Sequence, residues 1–321
     1  MQFSTWMHPK QDDFKWKSKL AELAEIGILR IFYEGTDLEQ LLKAAKDFPI
    51  EIHKWQWIVN RPDANLHQTN PELFMVNKLG ENCAINPPYV NYYRWLCPNN
   101  SKALEEILKP IKYYKKYSEL SGIHLDYIRF PDIFLPVGLQ PKYNLDQDRE
   151  MPQFDFCYCD YCLKQFKEKY DLNARNLESE EEIAAWFQFR LDTISNLVNR
   201  VKYELENTDL HLTAAVFPSP TEAARAVRQD WRNWPLDAAI PMLYHKFYNE
   251  NISWIGEMIS RSIIETKNQF PIHAGIYLPE LETDDFSKIL EIVKQNEATG
   301  ISLFPADQLS KEIKEIIRSE S

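Results

Sequence analysis

The chain has 321 residues, 44% of them hydrophobic, and a formal net charge of −11. That apolar content supplies one large core, while the negative charge argues against a nucleic-acid backbone or an anionic membrane surface as the main partner. No apolar run approaches the roughly 20 residues that span a bilayer, and no basic segment leads into an apolar one at the N-terminus, so the location expected is cytoplasmic, or periplasmic if a signal was removed.

Strand-like apolar runs lie near residues 3–7, 28–34, 50–59, 122–130, 211–217, 236–244, 271–278 and 300–305. Helical patterns alternate with them, near 12–25, 37–47, 101–119, 180–206, 220–229, 250–266, 283–297 and 309–318. Asp37 and Ser101 stand where helix N-caps belong, and Gly27 and Gly300 where helices must stop before strands. Eight strands alternating with eight helices predict an α/β fold, a (β/α)8 TIM barrel formed by residues 1–321 as one catalytic domain. A doubly wound open sheet fits less well, because no glycine-rich phosphate loop follows the first strand and the chain has only 8 glycines. Two connections, residues 60–100 and 131–179, are too long to be turns. They follow the third and fourth strands, so both belong to the catalytic face of a barrel.

The strand ends carry the chemistry. The second strand ends on Glu34. The third ends on His53, Trp55 and Trp57, with Asn60 and Arg61 just beyond. The fourth, Gly122-Ile123-His124-Leu125-Asp126-Tyr127-Ile128-Arg129-Phe130-Pro131, is the most informative segment of the chain. Strand alternation puts His124 and Asp126 on one face, and a charge at the end of a core strand is costly unless it is paired or used. An Asp126–Arg129 ion pair is the bland reading of that segment. Asp230 and Trp231 follow the fifth strand, Tyr244 and His245 end the sixth, and Tyr277 and Glu280 end the seventh. Any one of these residues alone reads as packing. Together, carboxylates, histidine, arginine and tryptophans on one rim have the composition of a sugar-binding groove.

Glycoside hydrolysis needs two carboxyl groups, one to protonate the leaving oxygen and one to attack carbon or activate water. Asp126 is the expected nucleophile or base. Asp230 is the preferred acid because the adjacent Trp231 indole can desolvate it, with Glu34 and Glu280 as the other candidates. His53, Trp55, Trp57, Asn60, Arg61, His124, Arg129, Trp231, Tyr244, His245 and Tyr277 are the expected substrate-binding residues.

The five cysteines, Cys83, Cys97, Cys157, Cys159 and Cys162, cannot all pair within one chain. Cys159-x-x-Cys162 has metal-ligand or redox spacing, but a zinc site needs a fourth ligand from elsewhere, with Cys83, Cys97 or a histidine available. The reading taken is thiols that brace a long loop, with no metal and no cofactor.

The motifs His124-Leu125-Asp126-Tyr127-Ile128-Arg129-Phe130-Pro131, Cys157-x-Cys159-x-x-Cys162, Gln229-Asp230-Trp231 and Pro241-Met242-Leu243-Tyr244 resemble those of the bacterial glycosyl-hydrolase-like family 10. The segment from Pro87 to Pro98 resembles a subgroup of that family. The resemblance covers most of the chain and implies a (β/α)8 fold acting on a carbohydrate glycoside. It also implies a nucleophile at the end of the fourth strand, matching Asp126, and an acid after the fifth or sixth, matching Asp230. Two other functions share the same barrel. One is a sugar isomerase or epimerase holding a divalent cation on Glu34, His53, Asp126 and His245. The other is a carbohydrate-binding barrel without catalysis.

Overall fold

The computed structural model of the chain describes residues 1–8, 15–279 and 281–320. Eight parallel strands are formed: β1 (Gln2–Met7), β2 (Ile28–Tyr33), β3 (Glu51–Trp57), β4 (Gly122–Asp126), β5 (His211–Val216), β6 (Ala238–Pro241), β7 (His273–Tyr277) and β8 (Gly300–Phe304). They lie side by side in the order β6-β5-β4-β3-β2-β1-β8-β7. The two ends of that order meet, because the Ala239 N–H donates to the Pro271 carbonyl at 3.0 Å and the Leu243 N–H to the Gly275 carbonyl at 2.8 Å. The sheet is therefore a (β/α)8 barrel.

Helices α1 (Trp16–Glu25), α2 (Leu38–Ala45), α4 (Ser101–Tyr114), α6 (Glu180–Glu204), α7 (Pro220–Val227), α8 (Ser253–Glu265), α9 (Thr283–Gln295) and α10 (Lys311–Glu320) follow the eight strands in turn. Two further helices, α3 (Ala64–Thr69) and α5 (Asp160–Tyr170), lie inside the long connections after β3 and β4. Neither has a full apolar stripe, which is why periodicity passed over them: α3 buries no residue and α5 buries only Cys162 and Phe166. No helix among the described residues is long and apolar enough to cross a membrane.

Period-2 patterning builds two cores from one sheet. The outward residues of β4, Ile123 and Leu125, join the layer under the helices, each fully buried. The inward residues of the strands build a separate interior cluster of Trp6, Phe32, Trp55, Ala215 and Ile240. Below it, toward the strand N-termini, the barrel is polar, with Arg30 bonded to Glu51 at 2.7 Å and Ser4 to Ser302 at 2.5 Å.

Some end signals act differently from their sequence reading. Gly27 does end α1, at φ 87°. Asn100, not Ser101, caps α4, accepting from the N–H groups of Lys102 and Ala103. Asp37 turns away from its helix to accept from Tyr33 Oη and Trp16 Nε1. Gly300 is needed for close approach: a Cβ there would stand 2.7 Å from the Gln2 carbonyl oxygen.

Candidate active site

The C-terminal ends of the strands open onto a cavity of about 200 Å³ lined by Trp6, His8, Trp55, Trp57, Asp126, Tyr127, Arg129, Ala215, Met242, Tyr244 and Phe304. Asp126, the last residue of β4, faces into it. Trp55 Nε1 donates to its Oδ2 at 3.0 Å, and the Tyr127 backbone N–H to its Oδ1 at 2.6 Å. Tyr127 adopts φ 48°, which turns the chain out of the strand and brings that N–H round to the carboxylate. The Asp126 carbonyl continues the sheet by accepting from the Ile58 N–H at 2.9 Å. Burial pushes the Asp126 carboxyl above the ordinary aspartate range. The two N–H bonds and the Arg129 cation pull the other way without cancelling that effect, and Glu34 adds to the rise.

Arg129 does not pair with Asp126. Its Nη1 binds Asp132 at 3.0 Å and the Phe130 carbonyl at 2.9 Å, and its guanidinium lies 5.0 Å from the Trp95 ring centroid. Burial disfavours this cation, yet Asp132 and the Tyr93 and Tyr127 hydroxyls outweigh it and hold its pKa above the arginine range. The arginine is a fixed charge in the cavity wall.

Glu34, just past the end of β2, stands behind the cavity wall and meets it through His8. Its Oε2 bonds His8 Nδ1 at 2.5 Å, and the His8 ring sits 4.8 Å from that of Trp55. The carbonyls of Glu34 and Gly35 both accept from Lys54 Nζ, which reaches them from the outer face of β3. Burial lowers that ammonium to about 8, with Glu34 and Asp37 acting against the fall. Lys54 therefore anchors the turn that carries Glu34.

The other expected site residues divide. Trp55, Trp57, Arg129 and Tyr244 line the cavity with Asp126. Tyr277 and His245 stand just behind its wall, in a small recess shared with Tyr244, and the Tyr277 ring centroid is 5.3 Å from that of Tyr244. His124 lies one layer below, fully buried: Trp6 Nε1 donates to its Nε2 at 2.9 Å and its Nδ1 bonds Thr213 Oγ1 at 2.9 Å. His53 is deeper still, beside Glu51 and Thr213 in the polar base. Neither histidine reaches the cavity, because alternation repeats every second residue and only the last inward residue of a strand meets the opening. Asn60 and Arg61 act as fasteners. Asn60 Oδ1 accepts from the Arg94 N–H at 2.9 Å, and Arg61 Nη2 donates to the Ile107 carbonyl of α4 at 3.3 Å.

Asp230 and Trp231 are corrected by their position. Asp230 binds Arg232 Nε at 2.6 Å and is not part of the cavity wall. Trp231 is wholly buried with its ring toward Phe270, the residue that leads into β7 from the opposite end of the barrel. Gln229 still touches the segments just past β4 and β5, but the next residues turn away from the opening, with the Trp231 ring packed into the interior. Gln229 is the member of that motif that points inward, donating to the Ile128 carbonyl at 3.3 Å. Glu280 lies outside the described residues.

Sequence reading passed over Trp6, His8, Tyr127, Met242 and Phe304. Trp6 and His8 alternate at the end of β1, and Phe304 ends β8, so the strand-end rule applied to those two strands finds them. The four proposed cation ligands do not converge: among the described residues, His53 groups with Glu51 and His211 instead. A larger groove of about 500 Å³ runs beside the cavity between the connection after β4 and α8, but no strand-end carboxylate opens into it.

No family model matches the chain, and no curated protein matches it. Solved structures match along its whole length. A β-galactosidase from the psychrophilic Marinomonas ef1 aligns with a TM-score of 0.68 at 11% identity, covering 100% of this chain and 59% of that one. The glycoside hydrolase domain of PelA from Pseudomonas aeruginosa aligns at 0.53 and 10%, covering 94% of each chain. An endo-β-1,4-mannanase from Thermotoga petrophila aligns at 0.53 and 10%, covering 99% of this chain and 75% of that one. These neighbours are glycoside hydrolases, and at such identities what this chain shares with them is the barrel. The chain spans little more than half the length of the β-galactosidase.

Proposed function

We propose that the chain is a glycoside hydrolase whose reaction takes place in the aromatic cavity at the C-terminal end of the barrel. The observation that carries the reading is Asp126, a strand-end carboxyl opening onto a cavity walled by Trp55, Trp57, Tyr127, Tyr244 and Phe304. Indole and phenol faces stack on the apolar faces of sugar rings, and the buried carboxyl supplies a proton to the departing oxygen. The family 10 motifs and the glycosidase neighbours both agree with it. Asp126 is assigned the proton donor, since burial favours its protonated form. Glu34 is assigned the opposing carboxylate, acting as nucleophile or as base toward water. This replaces Asp230, whose carboxylate is committed to Arg232.

The assignment is tested by varying the leaving group. Asp126→Asn should slow substrates with poor leaving groups by about 10²–10⁴-fold and spare activated aryl glycosides, which depart without a proton. Glu34→Gln should slow both kinds alike. Equal losses on both kinds in Asp126→Asn would remove the proton-donor role from Asp126.

A further inference from the structure

The strongest unassigned cluster lies outside the cavity. Cys97, at the end of the connection after β3, meets Cys157, Cys159 and Cys162, which lie around the start of α5 within the connection after β4. All four sulfurs lie within 4.8 Å of one another and all four residues are buried. Cys97 Sγ is 3.4 Å from both Cys159 Sγ and Cys162 Sγ. A tetrahedral zinc with Zn–S bonds of about 2.3 Å places its sulfurs about 3.8 Å apart, so the cluster has the size of that coordination shell.

We infer that Cys97, Cys157, Cys159 and Cys162 bind one structural zinc ion that fastens the connection after β3 to the connection after β4. Four thiolates close the shell, leaving no position for water or substrate, which is the pattern of a structural and not a catalytic site. All-sulfur tetrahedral donors favour zinc, while hard cations take oxygen. Binding displaces four thiol protons to solvent and leaves two negative charges on the cluster. The surroundings suit those charges. Cys159 is the N-cap residue of α5 and Cys162 lies in its first turn, where the helix dipole favours anions. Asn99 Nδ2 donates to Cys162 Sγ at 3.3 Å and to Thr193 Oγ1 of α6 at 3.1 Å, so the same amide orients a ligand and ties it to the helix layer.

The metal would hold more than a loop. Cys97 follows Trp95 by two residues, and Trp95 packs on Tyr127 at 5.5 Å, beside Asp126. The neighbouring strand-like bridge from Asn77 to Phe156 joins the same two connections. Sequence reading named Cys83, Cys97 or a histidine as a possible fourth ligand but settled on metal-free thiols, because spacing alone does not say which of them meets the cluster. The barrel supplies that ligand from a residue 60 positions earlier than Cys157.

The test uses the whole chain, produced in zinc-supplemented medium and purified without chelator. Elemental analysis should find about one zinc per chain, released in step with a mercurial thiol titration. Replacement with cobalt should give the intense visible bands of a tetrahedral thiolate site. Cys157→Ser and Cys162→Ser should lose the metal, and Cys83→Ser, whose sulfur lies elsewhere, should keep it. Zinc removal from the wild type should lower its melting temperature, a readout that does not depend on the variants folding. Four outcomes overturn the inference: a wild type that takes up no zinc after reduction, one equivalent of iron in place of zinc, a disulfide among the four cysteines, or a melting temperature unmoved by zinc removal.

Discussion

Asp126 holds two N–H donors and still titrates above the aspartate range, because burial outweighs both. The Trp55 hydrogen bond is the adjustable part of that balance, since it favours the charged form. In Trp55→Phe the ring remains and the donor goes. The alkaline limb of kcat/KM, set by loss of the Asp126 proton, should then move up by about one pH unit. A pH profile of the two proteins on the same substrate checks this, and an unmoved limb removes Asp126 from that limb. His124 offers the opposite lesson. Trp6 donates to its Nε2, which leaves the proton on Nδ1 toward Thr213, and the ring is a satisfied interior group. The sequence put His124 and Asp126 on one face correctly, but it could not say that one residue of that face is interior and the next is cavity. That depends on how far up the barrel each residue stands, which neighbouring strands decide through their register.

At the scale of elements, the two long connections build the roof of the site and the strands its floor. Asn60 was legible as a polar residue just past a strand end, yet its side chain accepts from the Arg94 backbone and its own backbone pairs with Trp95. Asn60→Ala should therefore lower unfolding free energy by about 0.5–1.5 kcal/mol, through the lost bond to the Arg94 N–H, which keeps only the Tyr92 carbonyl at 3.0 Å. Chemical denaturation measures it; a KM change with no loss of stability would restore a direct substrate contact. Asp230→Ala, by contrast, breaks only a partly exposed pair with Arg232 and should cost no more than about 0.5–1 kcal/mol, with turnover unchanged. Its place after the fifth strand made it look like a rim residue. The pair with Arg232 and the burial of Trp231 change that, and such tertiary packing is poorly encoded in local pattern. The eight strands were legible throughout because each carries its own hydrophobic period, whereas α3 and α5, held by loop contacts, left no such trace.

At the scale of the molecule, the barrel interior trades stability for a polar base. His53 is held down to about 4 and His273 to about 3, in both cases chiefly by burial, and His124 is also held well below its usual value. These rings are neutral in the folded protein, while the unfolded chain protonates them near 6.5. Their stabilisation is complete above about pH 6.5 and is lost as pH falls toward 4, by up to about 1.4 kcal/mol per pH unit for each ring. Asp126, with its raised pKa, offsets part of one ring. Urea unfolding at pH 7, 6 and 5 should show falling midpoints, and a flat series would contradict neutral burial. The function proposed for the whole fold is tested most directly by one paired measurement. Wild type and Asp126→Asn are assayed on one panel of oligosaccharides and aryl glycosides, with binding followed by calorimetry. The account predicts hydrolysis of at least one unactivated glycoside by the wild type, and, on that glycoside, retained binding with lost turnover in the variant. Binding without turnover in the wild type, or turnover of the unactivated glycoside indifferent to the loss of the Asp126 carboxyl, would contradict it.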